Sequence, residues 1–266
     1  MSFLEIFLFI LVGSFSGVVA GLLGIGGGVV VVSALVYIFE ANFGDSQFLQ
    51  HTAIGTAFSV MVFTGLVNVF AQSKQRHLDW QVCKKFAPFL VLGVVFGSFV
   101  SVGIPQKFLR FLFVLFLYYS SIRMWLSAKK ESVERQISKQ TFASVGFGIG
   151  AFSSWVGIGG GAIMVPFFKW CGLSAHKAIG TSGALTFPVA LVGAISYLSA
   201  GFSITNPIPH SLGFIYLPCL PILAICTVIF VPFGSKIKAK LSEKTTARLF
   251  SAMNLTFAVA MTYKLF

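Results

Sequence analysis

Two runs of small residues carry the chemistry open to this chain. Gly26, Gly27 and Gly28 follow Gly24-Ile25, and the same spelling returns at Gly157-Ile158-Gly159-Gly160-Gly161. Consecutive glycines weaken a helix, yet they permit positive φ and leave backbone N–H groups available. An apolar helix follows each run at once, so one reading is an anion nest, with amide donors and the positive end of a helix dipole aimed at one ligand. The other reading is a kink that only serves close packing. That second reading holds for Gly13, Gly17 and Gly21, and for Gly146, Gly150 and Ser154, which recur every four residues on one helical face. A nucleotide loop is excluded, because no Gly-Lys-Ser/Thr follows and the spacing is not GxGxxG.

A second block supplies hydroxyls and imidazoles. His51-Thr52-Ala53-Ile54-Gly55-Thr56-Ala57 matches His176-Lys177-Ala178-Ile179-Gly180-Thr181-Ser182 at an offset of 125 residues, while the glycine runs match at 133. Thr52, Thr56 and Ser59 share a helical face, and Thr181 and Ser182 begin the equivalent face. Their hydroxyls can trim specificity toward a substrate oxygen, or bond to their own backbone at i−4. His51 and His176, the matched titratable pair, can shuttle protons or simply mark a polar boundary. All seven carboxylates fall at or near segment ends, which argues against a cation pump. Metal-ligand spacings and a Ser-His-Asp arrangement are missing, so no metal, cofactor or enzymatic activity is expected. The four cysteines lack CxxC spacing and read as buried free thiols.

The elements that must position these groups are membrane segments. With 56% hydrophobic and 10% charged residues in a chain of 266, a soluble core could not hide the apolar surface. Apolar stretches run at about 3–23, 27–39, 52–72, 84–102, 106–126, 141–157, 161–171, 176–200, 212–235 and 246–264. Those at 27–39 and 161–171 are too short to cross alone, so each joins its predecessor in a broken or re-entrant hairpin with the glycines at the tip. Sixteen of the nineteen Lys and Arg residues fall in alternate loops, which orients those loops to the cytoplasm. The net charge of +12 thus reads as topology rather than nucleic-acid binding. Lys107 and Arg110 fit this poorly and count against it, although both could snorkel to headgroups. The N-terminus has no basic n-region and is expected to stay as a membrane segment.

The fold expected is an all-α polytopic bundle of about eight to ten membrane segments. It consists of two inverted repeats, residues 1–127 and 141–266, joined by a basic cytoplasmic linker at 128–140. The doubled glycine unit, the doubled A-I-G-T block and Leu78-Asp79-Trp80 resemble the sulfite exporter TauE/SafE (TSUP) family over essentially the whole chain. Pro166 follows the second glycine unit where the first half has Ser33. The resemblance implies transport of small sulfur-containing or related organic anions, such as sulfite, sulfoacetate or thiosulfate, across a bacterial inner membrane. Backbone amides of Gly26 to Gly28 and Gly159 to Gly161 are the expected anion contacts. The expected partners are the anion and the lipid bilayer, with the oligomeric state left open. A passive anion channel and a non-transporting scaffold remain as alternatives, and export is the direction that a negative interior favours.

Overall fold

A computed structural model describes residues 2–24, 26–74, 77–126, 138–202, 204 and 208–263. Most of the expected 128–140 linker, and Ile25 of the first glycine run, lie outside these residues. Ten helices account for nearly all of the described chain: α1 Phe3–Leu23, α2 Gly28–Phe43, α3 Leu49–Lys74, α4 Trp80–Ser101, α5 Gln106–Leu126, α6 Lys139–Val156, α7 Gly161–Trp170, α8 Ala175–Phe202, α9 Leu220–Lys240 and α10 Glu243–Thr262. Six of them are long and apolar enough to cross a membrane, and α2 is a shorter apolar helix. Large apolar side chains such as Phe7, Phe15, Phe96, Phe111, Ile122, Ile229 and Phe233 face outward. Only lipid makes such a surface favourable.

Glycine sets how closely these helices approach. A Cβ on Gly17 would meet Thr227 O at 2.6 Å, and one on Gly21 would strike Val231 O, so α1 lies backbone to backbone on α9. In the same way Gly93, Gly97 and Gly150 bring α4 against α6. In both pairs the contacts advance together along the two chains, so the helices run parallel. By contrast, Gly55 lies beside Tyr197 and Gly65 beside Phe187, so α3 and α8 run antiparallel. Helices α5 and α10 are also antiparallel, since Trp125 meets Arg248 while Tyr118 reaches Thr262. The matched helices α3 and α8, and α5 and α10, therefore point opposite ways, as inversion requires. The principal pairs α1–α9, α4–α6, α3–α8 and α5–α10 all join one half of the chain to the other. The repeats are units of sequence, and the packing units are shared between them.

These directions place Lys74, Lys84, Lys85, Arg123, Lys139, Lys169, Lys177, Lys236, Lys238, Lys240 and Arg248 at one end of the bundle. Lys107 and Arg110 lie at the other. Arg110 does not snorkel: it turns inward and pairs with Glu40 Oε1 through Nη2 at 2.6 Å, the two side chains being 7% and 16% exposed. A paired charge under protein costs less than an unpaired one under lipid, which is why it departs from the expectation. A second correction concerns the stretch at 212–235. Its first residues form a small antiparallel hairpin, β1 Ser211–Leu212 with β2 Ile215–Tyr216, and α9 starts only at Leu220. His210 and Gly213 adopt positive φ at the hairpin, and Pro218 and Pro221 follow, so a helix cannot begin earlier.

The seam between α4 and α6 gives a direct test of this packing. A Cβ on Gly150 would strike Leu90 O and come within 2.9 Å of Val94 N. Gly150→Ala is expected to cost about 1–3 kcal/mol by overpacking. Gly148→Ala on the same helix, where no atom lies within 4 Å, should be tolerated. Thermal unfolding of the two variants in detergent checks the difference.

Candidate site at the meeting of two glycine tips

Helix α1 ends at Gly24 (φ 69) and α6 at Gly157 (φ 73). Helices α2 and α7 begin behind Gly27 (φ 72) and Gly160 (φ 72). The bonds repeat as well. Gly24 N–H donates to Ala20 O at 2.8 Å and Gly157 N–H to Ser153 O at 2.9 Å; Val30 and Val31 donate to Gly27 O, and Ile163 and Met164 to Gly160 O. Left-handed φ at these positions is what glycine supplies. No side chain caps α2 or α7. The first-turn N–H groups of Gly28, Val29, Gly161 and Ala162 thus lie at helix starts, where no intrahelical acceptor exists.

The two tips meet. A Cβ on Gly28 would lie 2.7 Å from Gly157 O and 2.6 Å from Met61 Sδ. One on Gly26 would lie 2.7 Å from Thr186 Cγ2, and one on Gly159 would also strike Thr186. Met61 and Thr186, near the middles of α3 and α8, are a matched pair at the offset of 125. Gly26 to Gly28 and Gly159 to Gly161 are all buried, so the tips are closed off in this conformation. Besides Ser16 of α1, which donates to Gly27 O at 3.1 Å, two hydroxyls of the long helices steady them: Thr64 donates to Gly26 O at 3.2 Å and Thr186 to Gly159 O at 3.3 Å. Sequence matching missed both, because Thr64 has no hydroxyl counterpart in α8 and Thr186 none in α3. A lone threonine deep in an apolar run was the available signal.

The A-I-G-T block proves to be the other half of the same contact. A Cβ on Gly24 would lie 3.2 Å from Ile179 Cγ2, and one on Gly157 lies 3.0 Å from Ile54 Cγ1. Each block isoleucine therefore packs on the first glycine of the opposite repeat. The next two residues hold a crossing loop. A Cβ on Gly55 would strike Phe214 O, and Thr56 Oγ1 accepts from Tyr216 N–H at 2.9 Å. A Cβ on Gly180 would strike His77 O, and Thr181 Oγ1 accepts from Asp79 N–H at 3.1 Å. As donors the block hydroxyls bond back along their own chain: Thr52 to Phe48 O, Thr56 to Thr52 O, Ser59 to Gly55 O and Ser182 to Ile179 O. Asp79 of the Leu-Asp-Trp motif caps α4, its Oδ1 accepting from Gln81 and Val82 N–H.

The profile of the sulfite exporter TauE/SafE family matches residues 9–261. The chain belongs to that family. A "probable membrane transporter protein" of Haemophilus influenzae is 33% identical over 98% of this chain and 100% of its own length. One of Methanocaldococcus jannaschii is 28% identical over 89% of this chain and 88% of its own. YunE of Bacillus subtilis, carrying the same description, is 28% identical over 72% and 78%. No solved structure matches the chain significantly. The protein is a multi-pass membrane transporter of the TauE/SafE type.

In this transporter the two matched histidines stand far apart, at the starts of antiparallel α3 and α8. His51 is buried, with Nε2 2.8 Å from Ser101 O and its ring against Phe48 and Phe214. His176 instead faces His77, with ring centroids 5.4 Å apart. Partial burial, with the charges of His176 and Lys238, holds His77 below the ordinary imidazole value. At that end a cleft of about 350 Å³ opens between Gln81, Lys85 and Phe89 of α4, Lys139 and Phe142 of α6, and Cys171 and Leu173. Phe89 and Phe142 line it, and Phe142 in turn packs with Phe86 and Phe167. At the opposite end Phe39, Phe43 and Tyr216 form the corresponding layer.

Proposed function

We propose that this transporter is a secondary carrier of small sulfur-containing or related organic anions, such as sulfite, sulfoacetate or thiosulfate, in a bacterial inner membrane. The observation that carries the reading is the meeting of two glycine tips, each leading into a helix with no side-chain cap, at one buried point between α3 and α8. Two dipole ends and a set of first-turn amides suit an anion, and a buried point between inverted halves suits alternating access. The amides of Gly26 to Gly28 and Gly159 to Gly161 are the anion contacts, with Thr64 and Thr186 holding the tips in shape. The hydroxyls of Thr52, Thr56, Ser59, Thr181 and Ser182 act from one step back, because each already has a backbone partner. His51 and His176 can carry coupling protons only at separate ends of the path. The base-rich end faces the cytoplasm, residues 128–140 join repeats 1–127 and 141–266 there, and the cleft between Lys85 and Lys139 gathers anions. With the interior negative, outward movement gains about 2.3 kcal/mol per charge per 100 mV, so export is the favoured direction.

Counterflow tests this. Proteoliposomes loaded with unlabelled sulfite or thiosulfate should accumulate the radiolabelled anion saturably. Conductance without counterflow would make the protein a channel, and a flat trace for every sulfur anion would remove the substrate assignment.

A further inference from the structure

The Gly-Thr step of the repeated block lies outside the glycine tips, yet it recurs with the same geometry at opposite ends of the bundle. At one end Gly55 admits the carbonyl of Phe214 and Thr56 takes the N–H of Tyr216 two residues on. At the other Gly180 admits the carbonyl of His77 and Thr181 takes the N–H of Asp79, again two residues on. Each step holds chain that leads into a long helix of the opposite repeat: residues 208–219 lead into α9, and residues 77–79 lead into α4. We infer that these steps are paired latches of the transport cycle, Thr56 and Thr181 being positioning residues whose release opens the carrier at its own end while the other stays fastened.

The inference rests on the carrier reading given above, and four features support it. The latches are made by matched residues in inverted halves, so one mechanism serves both sides. Each lies five residues from the tip contact on its own helix, Thr56 from Met61 on α3 and Thr181 from Thr186 on α8, so a shift of that helix moves latch and tip together. Each fastening consists of one side-chain hydrogen bond over a close backbone approach, which is weak enough to break and re-form within a cycle. Both are fastened while the tips are buried, the arrangement of an occluded carrier. The two ends differ in what the latch holds: a hairpin with Phe214 seated on Tyr197 and His51 at one, and the segment beginning at His77 at the other.

Two native cysteines report the latches separately. Buried Cys219 has its Sγ 3.5 Å from Tyr216 O, and buried Cys83 has its Sγ 4.0 Å from Thr181 O. The purified full chain in detergent is treated with a maleimide, and labelling of each cysteine is followed by peptide mass spectrometry. Thr56→Val is expected to raise the Cys219 labelling rate roughly tenfold and leave Cys83 unchanged, while Thr181→Val does the reverse. Thr56→Ser and Thr181→Ser keep the hydroxyl and should match the unsubstituted protein, and Thr56→Ala and Thr181→Ala replace a valine variant that does not fold. If either variant raises both rates together, or neither rate, the latches are ordinary packing and the inference fails. Counterflow by the same preparations keeps the two ideas apart. Split labelling without counterflow removes the carrier reading alone, and counterflow with unsplit labelling removes the latches alone.

Discussion

Gly28→Ala is expected to raise the substrate KM by about fivefold or more while leaving the bundle assembled. The new methyl group would lie 2.6 Å from Met61 Sδ and 2.7 Å from Gly157 O. A methionine side chain can swing away, because it is flexible and unbranched. The carbonyl cannot, since it belongs to the left-handed turn that ends α6. The tips must therefore separate, and an overpacking strain of about 1–3 kcal/mol falls on the amides that face the anion. At about 1.4 kcal/mol per factor of ten, that range gives a change in affinity of roughly 5-fold to 150-fold. Gly150→Ala is the control, because its strain lies between α4 and α6 and should lower thermal stability without moving KM. A scaffold reading of the glycines predicts that both variants lose stability and neither changes a ligand constant. Kinetics of counterflow set beside melting curves separate the two.

Loss of the Glu40–Arg110 pair should have the largest effect on stability. The pair joins the end of α2 to the start of α5, largely shielded from solvent, and Gln106 Nε2 adds a bond of 3.0 Å to Asp45 Oδ1 beside it. Arg110→Met leaves Glu40 charged and without this partner, and Glu40→Gln leaves Arg110 likewise. Breaking one side of a buried pair costs about 3–5 kcal/mol, because the surviving charge stays desolvated. The double variant should recover a good part of that loss, since no unbalanced charge remains. Thermal unfolding of the four proteins closes a double-mutant cycle. Two single losses that simply add would show that the ions do not depend on each other.

Where the sequence was legible, a chemical regularity was repeated. The glycine runs could be matched residue by residue, and the left-handed φ of Gly24 with Gly157 and of Gly27 with Gly160 followed, although Gly26 has positive φ where Gly159 does not. The inverted sense was readable from basic loops because Lys and Arg collect at one end. What stayed hidden was relational. The glycine block and the A-I-G-T block match at different offsets, so nothing in the linear chain shows that Ile54 packs on Gly157 and Ile179 on Gly24. The extra eight residues lie between the blocks, where α2 has 16 residues and α7 has 10. Thr64 and Thr186 leave no trace in the repeat pattern, since Val189 and Met61 stand at their matched positions and each threonine supports its tip without a matched partner. Arg110 read as a misplaced surface base, because its neutralising carboxylate lies seventy residues earlier and reaches it only once α2 folds back from its tip. The hairpin at 211–216 reads as part of an apolar stretch, since Phe214, Ile215 and Tyr216 are as apolar as a helix start but enter the core as a turn and a short strand.

The central claim is that two opposed glycine tips make one anion site, and selenite tests it most directly. This anion resembles sulfite in charge and shape, and its selenium scatters anomalously. A structure of the purified transporter saturated with selenite is expected to show one selenium peak within hydrogen-bond reach of the α2 and α7 N-termini, between Gly28 and Gly161. Peaks confined to the Lys85 and Lys139 cleft, in a protein that exchanges selenite in counterflow, would contradict the account.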